Sequence, residues 1–325
     1  MDYISHIQQA LDSLDWKRQP LNLYGPIAYA LQSGGKRLRP QLVLMAADLF
    51  GQVNTDTTAA ALAIEIFHNF TLLHDDVMDN APTRRGRPTV HYRWDDNTAI
   101  LSGDQMLIEA YKQISYISSQ CQSEALSLLN KVATEVCEGQ QMDMDLERLS
   151  YDKVDGETLG TYIEMIRLKT SVLLATALQL GALTVGAPSD DCSNLYDFGI
   201  NLGISFQIED DMLDVYGEEQ VFGKTLGGDI CAGKKTYLLL TALARADWKT
   251  RKQLLDLLHD DELAKEKKVK EVKAIYDSLS VRNVTGDAIK TYTQKALSAL
   301  QKVNGKPQEK QQLISLALQL EQRQH

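Results

Sequence analysis

Leu72-Leu73-His74-Asp75-Asp76-Val77-Met78-Asp79-Asn80-Ala81-Pro82-Thr83-Arg84-Arg85-Gly86 is the stretch whose reading decides the fold. It follows the apolar run 59–70, so Asp75, Asp76 and Asp79 are expected on the last turn of a helix. Side chains at i and i+4 share a helix face, about 6 Å apart, so Asp75 and Asp79 can point the same way. The macrodipole is negative at that end, and three carboxylates there need a compensating cation. A second cluster, Asp210-Asp211-Met212-Leu213-Asp214, repeats the D-D-x-x-D spacing after the apolar run 199–208. One such cluster alone reads most simply as a solvated helix end. Two, each closing a long apolar segment, point further. If they face each other, six carboxylates cannot all stay ionised without divalent metal. Hard oxygen ligands that leave much of the metal shell open favour Mg²⁺ shared with substrate phosphates.

Composition narrows the alternatives. At 325 residues and 44% hydrophobic content the chain can bury a large core. A net charge of −10 argues against a nucleic-acid surface, which calls for a basic patch. It does not exclude a small anionic substrate, because bound Mg²⁺ reverses the local field. Cys121, Cys137, Cys192 and Cys231 show no C-x-x-C spacing, which fits a reducing cytoplasm. The first residues lack a basic segment followed by an apolar one, so no signal peptide is expected. The most apolar run, 171–187, is broken by Gln179, Gly181 and Gly186, and reads as a core helix, not a transmembrane segment.

The rest of the chain reads as helix. All seven prolines (Pro20, Pro26, Pro40, Pro82, Pro88, Pro188 and Pro307) are expected at or near helix ends, with Pro26 and Pro40 each opening one. Ile4, Ile7, Leu11 and Leu14 give a first amphipathic stripe. Residues 80–93 read as an arginine-rich loop, and Asp95-Asp96-Asn97 as N-caps for the next helix. Apolar helices are expected over 157–185 and 189–215, then a glycine-rich loop over 216–234. The lysine- and glutamate-rich run 265–273 reads as a solvated helix face. No strand alternation stands out.

Basic residues gather near the acidic ones. Arg84, Arg85 and Arg87 follow Asp79, and guanidinium forks match phosphate oxygens. Gly34-Gly35-Lys36-Arg37-Leu38-Arg39-Pro40 is a second basic cluster; alone it reads equally well as a glycine C-cap with surface cations. Lys169 lies on an apolar helix, where a lysine either snorkels outward or reaches a polar site. Lys224 and Lys234 flank Gly227-Gly228-Asp229. Together these residues describe Mg²⁺ on one side and Lys/Arg on the other, inside a helical bundle that can hold two anionic groups.

Taken in order, the motifs resemble those of the trans-prenyltransferases, the polyprenyl diphosphate synthases. The series is G-G-K-R-L-R-P, H-x-x-x-x-x-H-D-D-x-x-D, R-R-G, L-x-G-D (Leu101 to Asp104), G-Q (Gly139-Gln140), K-T (Lys169-Thr170), F-Q-x-x-D-D-x-x-D (Phe206 to Asp214) and G-K. The resemblance implies an all-α fold: one large isoprenoid synthase bundle over 1–325, with a central active-site cavity. It implies head-to-tail condensation of isopentenyl diphosphate with dimethylallyl, geranyl or farnesyl diphosphate, giving a short product such as geranylgeranyl or farnesyl diphosphate. By it, Asp75 and Asp79 would ligate two Mg²⁺ ions and Asp210 a third, with Asp76, Asp211 and Asp214 in support. Arg84, Lys169, Lys224 and Lys234 would surround the allylic diphosphate, with Thr170 and Gln207 as oxygen dipoles toward the carbocation. Lys36, Arg39, His68 and Arg85 would hold isopentenyl diphosphate. Phe67, Phe70 and Thr71, one to two turns before Asp75, would floor the product tunnel. A homodimer in the cytoplasm is also expected. Gly228 and Leu238 depart from the family's usual lysine and proline. A class I terpene cyclase would share the fold but lack R-R-G and the second D-D-x-x-D. A non-catalytic subunit of a heteromeric synthase would be expected to lose aspartates, and all six are here.

Overall fold

The protein is described from a computed structural model over residues 1–217, 226–260 and 262–321. It divides into two compact units, the first of Met1–Val132, Leu173–Tyr196 and Val303–Lys310, the second of Ala133–Val172, Asp197–Lys302 and Gln311–His325.

The first unit is built on helices α1 (Tyr3–Asp12), α2 (Leu21–Leu31), α3 (Leu38–Phe50), α4 (Thr55–Met78), the short α5 (Val90–Arg93) and α6 (Asp96–Ser115). α4 is its axis and packs against both α3 and α6. The start of α4 is fixed by a capping box. The Asn54 side chain accepts from the Thr57 N–H at 2.9 Å, while the Thr57 hydroxyl accepts from the Asn54 N–H. Ala60, Ala63, Ile64, Ile66 and Phe67 are fully buried, so this helix is held by packing on several sides.

The second unit takes part of α7 (Gln122–Arg148) and holds α8 (Thr158–Ile166); α9 (Val172–Leu183) belongs to the first unit from Leu173 on, and the second unit takes part of α10 (Ser189–Tyr216). It adds α11 (Gly228–Ala232), α12 (Tyr237–Arg245), α13 (Trp248–His259), α14 (Lys265–Ser278) and α15 (Val281–Gln301); α16 (Pro307–Glu321) closes the chain. Its core is centred on Ile208, Leu238, Leu254, Val272, Tyr276 and Val281. The helical run Thr158–Leu183 is long and apolar enough to cross a membrane, but 78% of its most apolar window is buried inside the protein, as in a core helix.

The fold is helical as expected, with local departures; α5 (Val90–Arg93) lies within the expected loop 80–93, and α11 (Gly228–Ala232) within the expected loop 216–234, of which 218–225 lie outside the described residues. Pro26 does not open a helix; it lies inside α2, buried beside Ile27, and packing offsets the backbone hydrogen bond it cannot make. The loop after Asp79 closes a two-residue antiparallel ladder, Thr83–Arg84 on Arg87–Pro88. Between α8 and α9 the chain takes one π-helical turn, Arg167–Ser171. Lys268 in the charged α14 run is buried and donates to the Leu258 carbonyl at 3.2 Å, while Lys265, Glu266, Lys267 and Lys270 stay exposed.

Candidate active site

The first aspartate cluster forms where α4 ends. Asp75 is on the last turn and Asp79 is the C-cap, its N–H bonded to the Asp75 carbonyl at 2.9 Å. The two carboxylates are therefore one turn apart, as their spacing required. Asp76 is buried between them. The ladder returns Arg84, whose Nε donates to Asp76 Oδ1 at 2.6 Å and whose Nη2 donates to Asp75 Oδ2 at 3.3 Å. Burial pushes the Asp76 carboxyl above its ordinary range, and Arg84 opposes that shift. Arg84 is the compensating cation that the negative helix end demanded.

All four groups expected around a second anion belong to the first unit. Arg39 Nη1 donates to His68 Nε2 at 3.1 Å. Burial first, and then Arg39, Arg85, Arg84 and Arg37, hold the His68 imidazole well below its usual pKa, so the ring stays neutral and accepts. Burial pushes Arg39 down to about 10 and lowers Arg85 as well. Arg85 has a left-handed backbone, φ 52°, and donates to the Gly34 carbonyl. Lys36 is exposed on the same loop, and its carbonyl accepts from Gln41 Nε2. Desolvated cations gathered this way gain by taking up an anion.

Arg37 plays a different part, one that the basic motif concealed. It is buried at φ 48° and donates to Glu65 Oε1 and to the Leu31 carbonyl. Asn69 Nδ2 donates to the same Glu65 oxygen at 2.8 Å. This buried pair clamps the basic loop onto α4. Its one legible signal was Glu65, a lone carboxylate in an otherwise apolar run.

The second cluster lies near the end of α10. Asp210 is its partly exposed member. Asp211 is buried; its Oδ2 accepts from the Tyr162 hydroxyl at 2.5 Å and from the Tyr237 N–H at 3.0 Å. Burial pushes its carboxyl up to about 7, against the hydrogen bonds that lower it. Asp214 Oδ2 accepts from the Asp229 N–H at 3.0 Å, tying α10 to α11. A Cβ added at Gly228 would lie 3.4 Å from Asp214 Oδ1.

Lys169 and Thr170 stand on the π-turn of the second unit. Lys169 Nζ pairs with Asp143 at 2.6 Å, and the Thr170 hydroxyl donates to Gln207 Oε1 at 3.2 Å. The turn presses on α7 at Gly139, where a Cβ would run into the Lys169 N and lie 2.7 Å from the Leu168 carbonyl carbon. Only glycine permits that approach. Asp143 and Tyr162 belong to this arrangement although neither stood out as a motif residue. Lys234 is 3.9 Å from Asp229. Lys224 lies outside the described residues.

Among the described residues, no group of three or more His, Cys, Asp or Glu side chains converges into a closed metal cage. The donors present are carboxylate pairs on helix ends. That set fits Mg²⁺, which keeps waters and takes one or two protein carboxylates plus phosphate oxygens.

The polyprenyl synthetase family profile matches residues 20–278. A geranylgeranyl diphosphate synthase of Methanosarcina mazei is 40% identical over 243 residues, 74% of each chain. A crystal structure of a geranylgeranyl pyrophosphate synthase is similar at TM-score 0.90 and 40% identity, over 99% of this chain and 97% of that one. Another such synthase, from Corynebacterium glutamicum in complex with isoprenyl diphosphate and magnesium, is similar at TM-score 0.86 and 25% identity, over 98% and 97%.

Proposed function

Because this chain belongs to the polyprenyl synthetase family, we propose that it is a short-chain trans-prenyl diphosphate synthase. It joins isopentenyl diphosphate head to tail to dimethylallyl, geranyl or farnesyl diphosphate. The observation that carries this reading is the pair of D-D-x-x-D helix ends, with Arg84 bonded at the first and Lys169 held on the π-turn of the unit that contains the second. Both clusters serve one allylic diphosphate, and the whole chain acts as one synthase domain.

Asp75 and Asp79 would hold two Mg²⁺ ions and Asp210 a third, about three per site. When bound, Mg²⁺ would offset the charge that builds on the departing diphosphate. Asp76, Asp211 and Asp214 keep the helix ends in place through their own hydrogen bonds. Arg84, Lys169, Lys224 and Lys234 would bind and orient the allylic diphosphate as its carbon–oxygen bond breaks. The Thr170 and Gln207 oxygens would supply dipoles to the carbocation, and apolar side chains would exclude water from it. The isopentenyl double bond attacks the cation, and the released diphosphate takes the proton. Lys36, Arg39, His68 and Arg85 would hold the isopentenyl diphosphate in line.

Incubation with isopentenyl and dimethylallyl diphosphates plus Mg²⁺, with the dephosphorylated products sized, tests the activity; recovery of unreacted substrates alone would refute it. Lys36→Ala and Arg85→Ala are expected mainly to raise KM for isopentenyl diphosphate while kcat holds, as for a contact made equally in ground and transition states. A loss confined to kcat would move these residues out of that role.

Phe67, Phe70 and Thr71 would set the tunnel floor. Phe67 is fully buried and packs edge-on against the half-buried Phe70, with ring centroids 5.4 Å apart. The bulk of Phe70 would stop the chain after a few isoprene units, and the small neighbouring Thr71 favours geranylgeranyl diphosphate over the shorter farnesyl product. Phe70→Ala is expected to lengthen the main product and leave the first condensation nearly intact. Unchanged product length would remove Phe70 from the floor.

A homodimer is supported by Ile100, Leu101 and Ile108, large apolar side chains exposed along α6. Light scattering should give a dimer mass, and Ile108→Asp a monomer; a wild-type monomer would contradict the assignment. The four free cysteines fit residence in the cytoplasm.

A further inference from the structure

The tunnel floor has a support of its own. One turn beyond Phe70, the His74 imidazole meets the Phe70 ring edge-on, with centroids 4.8 Å apart and planes at 71°. Phe67 meets the same ring edge-on, with centroids 5.4 Å apart and planes at 64°. Positions 67, 70 and 74 make one stripe on α4, spaced i, i+3 and i+7. Phe67 is fully buried and has no room to yield. The freedom of Phe70 is therefore decided on the His74 side.

His74 is pinned from α6. Its Nε2–H donates to the Ile100 carbonyl at 3.0 Å, and the Asp104 carboxylate is 3.8 Å from the same nitrogen. The carbonyl can only accept, so this contact fixes which ring nitrogen carries the proton. The imidazole reaches that carbonyl because α6 presents Gly103 at the crossing. A Cβ there would lie 2.5 Å from His74 Cδ2 and closer still to Nε2. Any larger residue at 103 must push the ring aside.

We infer that His74 and Gly103 help determine product length: the imidazole, seated on the glycine, is a strut that holds the Phe70 ring across the tunnel. This rests on the reading of Phe70 as the floor. The two residues are positioning and specificity residues, acting through Phe70 and not on the substrate. With the strut gone, Phe70 swings toward the emptied space and the chain grows further before it stops.

The experiment compares wild type, Phe70→Ala, His74→Ala, the double variant and Gly103→Ala at one fixed ratio of isopentenyl to allylic diphosphate, sizing the products of each. His74→Ala is expected to shift the main product up by at least one isoprene unit, whatever happens to the rate. Gly103→Ala, which dislodges the same ring from the other helix, is expected to shift length in the same direction, and it carries the test if His74→Ala does not fold. The double variant should match Phe70→Ala alone, because the strut acts only through that ring. If Phe70→Ala lengthens the product but His74→Ala and Gly103→Ala do not, the strut is refuted and the floor stands. Additive lengthening in the double variant would also refute it. If no variant changes length, the floor reading itself is refuted.

Discussion

Asp75→Ala and Asp210→Ala are each expected to lower turnover by roughly a thousandfold or more, about 4 kcal/mol of transition-state stabilisation. Asp75 sits on the last turn of α4, where the helix dipole is negative, and on the proposed reading the loss of either carboxylate would leave the remaining ones and Arg84 to organise the diphosphate. A guanidinium already bonded to Asp75 and Asp76 is a poor substitute for metal, because it brings one charge and a fixed fork. Chelation by EDTA should have an effect of similar size, restored by added Mg²⁺. Steady-state assay with isopentenyl and geranyl diphosphates measures all three. Near-normal turnover in EDTA, or in either variant, contradicts the assignment of metal to these helix ends.

The largest effect on stability is expected at Glu65. Its carboxylate is almost fully buried, with Arg37 and Asn69 both bonded to Oε1. Glu65→Ala leaves a guanidinium buried without its partner, a loss of about 3–5 kcal/mol for such sites. Removing both charges together, as in Glu65→Leu with Arg37→Met, is expected to cost much less. Urea denaturation checks this through the shift in midpoint at constant slope. A Glu65→Ala midpoint near that of the wild type would show that the pair does not clamp the loop to α4.

The helix-end aspartates were legible in sequence because helical periodicity and the D-D-x-x-D spacing report the same geometry twice. The N-cap at Asp95 and the buried α9 follow from local rules of the same kind. What escaped is tertiary in origin. Arg37 looked like one more cation in a basic loop, and only its burial against Glu65 separates it from Arg39. The π-turn that carries Lys169 adds a single backbone step inside an apolar run, too little to disturb its periodicity. The turn packs closely against Gly139, a contact made only in the folded chain. Pro26 obeys the rule for helix starts in composition and breaks it in place, since burial with Ile27 outweighs one missing hydrogen bond. Lys268 is buried although its neighbours follow the solvated pattern, because its ammonium finds the last turn of α13.

The central claim is that both aspartate clusters serve one diphosphate. Calorimetric titration with an unreactive allylic thiolodiphosphate tests it directly, in wild type and in the Asp75→Ala and Asp210→Ala variants, with Mg²⁺ and with EDTA. The account predicts tight binding only with Mg²⁺ and both clusters intact, and a large loss of affinity in each variant. Binding that survives unchanged in Asp210→Ala would separate the second cluster from the diphosphate and contradict it.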